Sequence, residues 1–87
     1  MMIEVIGEAA TYELLAEECI ELAHAALKMA RVKRGENPTP ATEEKVKKSI
    51  VEEWMDVNIC AEDLDLPLNL DIYEEKTERF KRRCADG

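Results

Sequence analysis

From Ala9 to Lys33 the chain holds neither glycine nor proline and is made of strong helix formers. A run of that kind predicts one long helix, and a helix in a chain this short is stable only if one of its faces is buried against another element. The inward face is peculiar. At about 100° per residue, with Glu18 at zero, Ala25 falls at about −20°, Leu14 at about −40°, Leu22 at about +40° and Leu15 at about +60°. Glu21 falls at about −60°, so two carboxylates share the arc that should be buried. Unpaired charge there is expensive and requires a cation, a partner or a raised pKa. The stripe Tyr12, Leu15, Cys19, Leu22, Ala26 and Met29 steps by three and four residues, as a bundle helix does.

The arrangement occurs a second time. With Glu53 at zero, Val46 and Leu64 lie at about +20°, Cys60 at about −20° and Val57 at about +40°, while Asp56 takes the about −60° position. Packing the two apolar faces together would bring Glu18, Glu21, Glu53 and Asp56 to one place. Four oxygen ligands favour magnesium, manganese or calcium over zinc.

Punctuation divides the rest. Residues 1–8 form an apolar lead-in of a helical turn or two before Gly7. Arg34 to Pro40 is the main break, with Gly35 suited to the C′ position and Pro38 and Pro40 forbidding continuation. Thr42 is the expected N-cap of a second helix running to about Asp63, with Val46, Ile50, Glu53, Val57, Cys60 and Leu64 inward. Asp65-Leu66-Pro67 marks the next turn, and a last helix is expected from Leu68 or Leu70 to Arg83. Its apolar residues Ile72, Tyr73 and Phe80 share their face with Lys76, and Arg79 lies close by. No stretch alternates long enough to read as a strand, so the predicted fold class is all-α. The expected architecture is an antiparallel helical bundle of two long helices plus a C-terminal helix, completed by oligomerisation. Residues 1–87 make one small domain.

The net charge of −8 conceals a segregation of charge along the chain. Residues 1–27 carry six acids and no Lys or Arg, and residues 49–75 carry nine acids and none. Residues 28–48 hold seven basic residues against three acids, and residues 76–87 hold five against two. Such acidity argues against a nonspecific binder of nucleic-acid polymers. Basic clusters flanking an acidic centre suit a polyanion held through a divalent metal. Lys28, Arg31, Lys33 and Arg34 equally complement the dipole at a helix C-terminus. No apolar run approaches the roughly 20 residues needed to cross a membrane. Glu4 and Glu8 interrupt the apolar start, which does not read as a signal peptide. The three widely spaced cysteines, Cys19, Cys60 and Cys84, fit reduced thiols in a cytoplasmic protein.

Glu18-x-x-Glu21 followed by Glu53-x-x-Asp56 on two long helices resembles the ExxE…ExxD signature of the MazG-like nucleoside triphosphate pyrophosphohydrolases, in the all-α NTP pyrophosphatase superfamily. The surrounding residues agree, in Leu15-Ala16-Glu17-Glu18-Cys19-Ile20-Glu21-Leu22 and Val51-Glu52-Glu53-Trp54-Met55-Asp56-Val57. Arg34 to Pro40 resembles the connector of short, phage-type members, and Glu75 to Phe80 their closing helix. The similarity spans residues 6–83. Thirty-one residues separate Glu21 from Glu53, more than in compact members, and the proline-containing connector accounts for the excess.

The resemblance implies hydrolysis of (deoxy)nucleoside triphosphates between the α and β phosphates, giving monophosphate and pyrophosphate. It implies Mg²⁺, replaceable by Mn²⁺, as cofactor, with Glu18, Glu21, Glu53 and Asp56 as ligands. Glu17 would orient or deprotonate the attacking water beside Glu18, or else be an ordinary surface acid. Lys76 and Arg79 are the candidates for triphosphate contacts, unless they pair with the acids. Trp54 and Tyr12 either stack on a base or fill the core. The partners expected are the nucleotide and further copies of the chain, as a homodimer or homotetramer.

Two other functions fit the same residues. Glu21-Leu22-Ala23-His24 is an ExxH, and with Glu53 two subunits would supply the ligands of a ferritin-like di-iron bundle. On the wheel, however, His24 projects about −120° from Glu18, off the apolar face. A purely structural helical interaction module is the third reading.

Overall fold

The computed structural model describes residues 1–36 and 42–86. Asn37, Pro38, Thr39 and Pro40 of the expected connector lie outside the described residues. The described residues contain four helices and no strand, so the protein is all-α.

α1 (Ile3–Ile6) is a single turn closed by Gly7. Gly7 has φ 90° and ψ 163°, a conformation essentially reserved for glycine, and it redirects the chain into α2 (Glu8–Arg34). The Gly7 carbonyl accepts from both the Thr11 backbone N–H (3.1 Å) and the Thr11 hydroxyl (2.7 Å). Thr11 is completely buried at this junction. At the other end Gly35 is left-handed, with φ 68°. Its N–H donates to the Val32 carbonyl and that of Glu36 to Arg31, which satisfies two of the helix's open carbonyls.

α3 (Glu43–Asp63) begins where Thr42 accepts from the Lys45 N–H at 3.2 Å. It ends on Asp65, whose φ of 56° is one that an aspartate tolerates better than most residues. The Leu66 N–H then donates back to Ala61 and that of Asp65 to Glu62. α4 (Leu70–Asp86) is capped by Asn69, whose side chain accepts from the Ile72 N–H at 3.0 Å.

α2 and α3 pack along each other and run in opposite directions. Lys33 near the end of α2 meets Glu43 at the start of α3 at 2.8 Å, while Leu14 and Glu18 lie with Asp56 and Cys60. Val46, Cys60 and Leu64 are buried in this contact, and Leu14, Leu15, Leu22, Ala25, Met29, Val32, Ile50 and Val57 are half-buried. The inward face of α3 is the expected one. On α2 the contact is centred on the Leu14–Glu18–Ala25 arc that the helix wheel turned inward, whereas Tyr12, Cys19 and Ala26 of the stepped stripe are exposed. The reason is registry with a single partner helix, which covers a narrower arc than a closed bundle does.

α1 rests on α2 and is pinned to the end of α3, where the Ile3 N–H donates to the Asp63 carboxylate at 2.8 Å. The Asp63 side chain is 4% exposed. α4 does not pack along the other helices, and none of its residues is buried. The chain is therefore open in shape. Its radius of gyration is 16.3 Å, against about 12 Å for a compact domain of this length.

Candidate metal centre

The two acid pairs come from the middle of α2 and the middle of α3, where the helices face each other. Glu18, Glu53 and Asp56 each offer a carboxylate oxygen, and the three oxygens lie within 4.8 Å of one another. It is the one such group among the described residues. Glu18 and Glu53 are half-buried and Asp56 is exposed, so the cluster is rooted in the helix contact and open on one side. Leu14, Ile59, Cys60 and Met2 join Glu18 and Asp56 around a shallow cleft of about 180 Å³ on that side.

No lysine or arginine pairs with these carboxylates among the described residues. The electrostatic consequence falls on Glu53. Burial raises its pKa above the ordinary carboxylate value, and Asp56, Glu18, Glu21 and Glu52 raise it further by repulsion. The neighbouring Cys60 thiol is pushed up as well, by burial first and then by Glu18 and Asp56. A group of carboxylates without a countercharge suits a hard divalent cation, which takes oxygen ligands and completes its shell with water on the open side.

Glu21 is exposed and lies outside the three-oxygen group, though close enough to act on Glu53. Glu17 is exposed on α2 next to Glu18. His24 is exposed and takes no part in the cluster. Tyr12 and Trp54 are 45% and 50% exposed, so neither belongs to the core of a single chain. Lys76 and Arg79 are exposed on α4, and neither forms an ion pair with an acid among the described residues.

Two residues gain importance that the sequence reading did not single out. Asp63 anchors α1. Its i, i+7 spacing from Asp56, which puts both on one stripe of α3, is the signal that would have found it. Met2 borders the acidic cleft only because α1 folds back over the helix contact. No helical period announces that placement. No family of known proteins matches the chain, and no curated protein or solved structure is detectably similar to it.

Proposed function

We propose that the protein is a divalent-metal-dependent nucleoside triphosphate pyrophosphohydrolase resembling the MazG-like family. The observation that carries this reading is the convergence of Glu18, Glu53 and Asp56 oxygens within 4.8 Å, without a basic partner among the described residues, at the contact of two helices. These three residues would hold Mg²⁺, or Mn²⁺ in its place, and Glu21 would be a fourth ligand at the rim. A divalent ion bound there supplies charge neutralisation to phosphate oxygens. Glu17, exposed beside Glu18, is the group that would take a proton from the attacking water. Water enters between the α and β phosphates, and the products are the monophosphate and pyrophosphate. Lys76 and Arg79 carry the charge to hold the triphosphate. The working form is an antiparallel bundle completed by oligomerisation, as a homodimer or homotetramer.

A panel of canonical and modified nucleoside triphosphates, assayed for pyrophosphate with and without Mg²⁺, tests the proposal. Metal-dependent release from at least one nucleotide is expected. Phosphate release alone, or no turnover with any nucleotide, would overturn it.

A second reading, a structural interaction module, has one observation in its favour. α4 is amphipathic and unpacked, and large apolar residues stand exposed on α2 and α3, among them Ile20, Leu27 and Val51. Under that reading the acid cluster binds no metal, and Mg²⁺ leaves the thermal stability unchanged.

A further inference from the structure

Among the described residues, α4 is the one long helix with no other helix packed along it. Its charge pattern identifies what covers it. With Lys76 at zero on the helix wheel, Arg83 lies at about −20°, Ile72 at about −40° and Arg79 at about −60°. Phe80 lies at about +40° and Tyr73 at about +60°, so three cations and three large apolar residues share one face. Of the acids of α4, Asp71, Glu74, Glu75 and Glu78 fall at least about 100° away, and Asp86 in the last turn falls at about −80°. The three apolar residues are 52% to 61% exposed, and Arg83 lies over the Phe80 ring at 5.2 Å from its centre. A face that is both apolar and cationic fits a surface that is both apolar and anionic.

The chain carries such a surface, and carries it incomplete. The open side of the metal centre presents Asp56 and Glu21, with Ile59 exposed beside them on α3 (45%). No cation of the same chain pairs with it among the described residues. The area is also sufficient. The chain exposes 7037 Å². That is about 1,800 Å² more than a compact monomer of its mass. Per chain, this is on the scale that obligate homodimers bury.

From these observations we infer that the metal centre is completed in trans: α4 of a second copy lies across the open side of α2 and α3, with Lys76 and Arg79 facing Glu21, Glu53 and Asp56. Two-fold symmetry makes the exchange reciprocal, so a dimer has two centres, each built from both chains. In the ligand-free dimer the cations offset part of the carboxylates' mutual repulsion. With a nucleotide bound, the same cations face its phosphates from the side opposite the acids. This inference builds on the proposed pyrophosphohydrolase site, but its central test requires no turnover.

Equal amounts of ¹⁴N- and ¹⁵N-labelled wild-type protein are unfolded, mixed, refolded and treated with a carbodiimide, which joins a lysine amine to a carboxylate in contact with it. Peptide mass spectrometry then identifies the partners. Links from Lys76 to Glu21, Glu53 or Asp56 are expected, with about half of them joining light to heavy peptides, as random pairing in a dimer requires. Links confined to peptides of one label would place α4 on its own chain and overturn the inference. Absence of Lys76 links to these acids, or links from Lys28, Lys33, Lys45, Lys47 or Lys48 in their place, would overturn it too.

If the nucleotide panel gives turnover, a complementation experiment adds a second readout. Glu53→Gln lacks a working acid centre, and the double variant Lys76→Ala/Arg79→Ala lacks a working α4. Mixed after co-refolding, they regain about a quarter of wild-type activity if α4 acts in trans, because half the dimers are mixed and each has one intact centre. An arrangement in cis regains none.

Discussion

Glu53 concentrates the conflict in this molecule, since it is half-buried and faces acids on both helices. An unfolded chain protonates it near 4.5, and the folded protein at a higher pH. Between those two values the folded state binds more protons. Stability of the metal-free protein therefore falls as pH rises from about 4.5 through the raised folded value, and stays lower above it. Glu53→Gln keeps the shape and removes the charge. It should flatten that fall, as read by urea unfolding in EDTA at about pH 4 and about pH 7. The same substitution should lower pyrophosphate release by about 100-fold or more, the scale on which metal-site residues act. Undiminished activity would remove Glu53 from the metal centre. For the wild type, Mg²⁺ at ten times its Kd should stabilise the fold by about 1.4 kcal/mol, an effect the variant loses.

The helices are individually well specified by their ends. Thr42, Gly35 and Asn69 each meet open backbone groups that would otherwise be left to water. Gly7 has a different task, setting the angle at which α1 returns to Asp63 and to the acidic cleft. A Cβ there would meet nothing within 4 Å, so the penalty for Gly7→Ala is purely one of backbone conformation. It should cost about 1–3 kcal/mol or release α1 from the end of α3. Hydrogen exchange at the Ile3 amide, bonded to Asp63 in the wild type, distinguishes this from no effect: the amide should lose its protection. Thr11→Val is the control at the same junction. The Gly7 carbonyl keeps the Thr11 backbone N–H, so the cost should stay within about 1 kcal/mol.

At the scale of the whole molecule, one chain has too little core for its surface. Among the described residues the buried apolar ones are Val46, Cys60 and Leu64, while Leu70, Tyr73 and Phe80 of α4 stand 59–65% exposed. An open, elongated monomer with this much wet apolar area is a poor stable state. Sedimentation at micromolar concentration should therefore find a dimer or tetramer. Its unfolding midpoint should rise with protein concentration, because association and folding are linked. A folded, active species of 9.9 kDa would contradict the oligomeric assignment.

The all-helical class, the helix boundaries within a few residues and the inward face of α3 were legible in the sequence, because capping chemistry and the 3.6-residue period are local. The approach of Glu18 to Glu53 and Asp56 was legible for the same reason, since each pair sits on the apolar arc of its own helix. On α2 local period left two overlapping faces open, the arc around Glu18 and the stripe from Tyr12 to Met29. α2 has apolar residues on most of its circumference, so packing against α3 selected Leu14, Glu18 and Ala25 over Tyr12, Cys19 and Ala26. Local period could not place Lys76 and Arg79. Their distance from the acids depends on where α4 goes after Pro67, and helix–helix contact, not helix propensity, decides that direction. The tertiary structure alone left Glu21 at the rim of the three-carboxylate group and sent α4 away from its own chain.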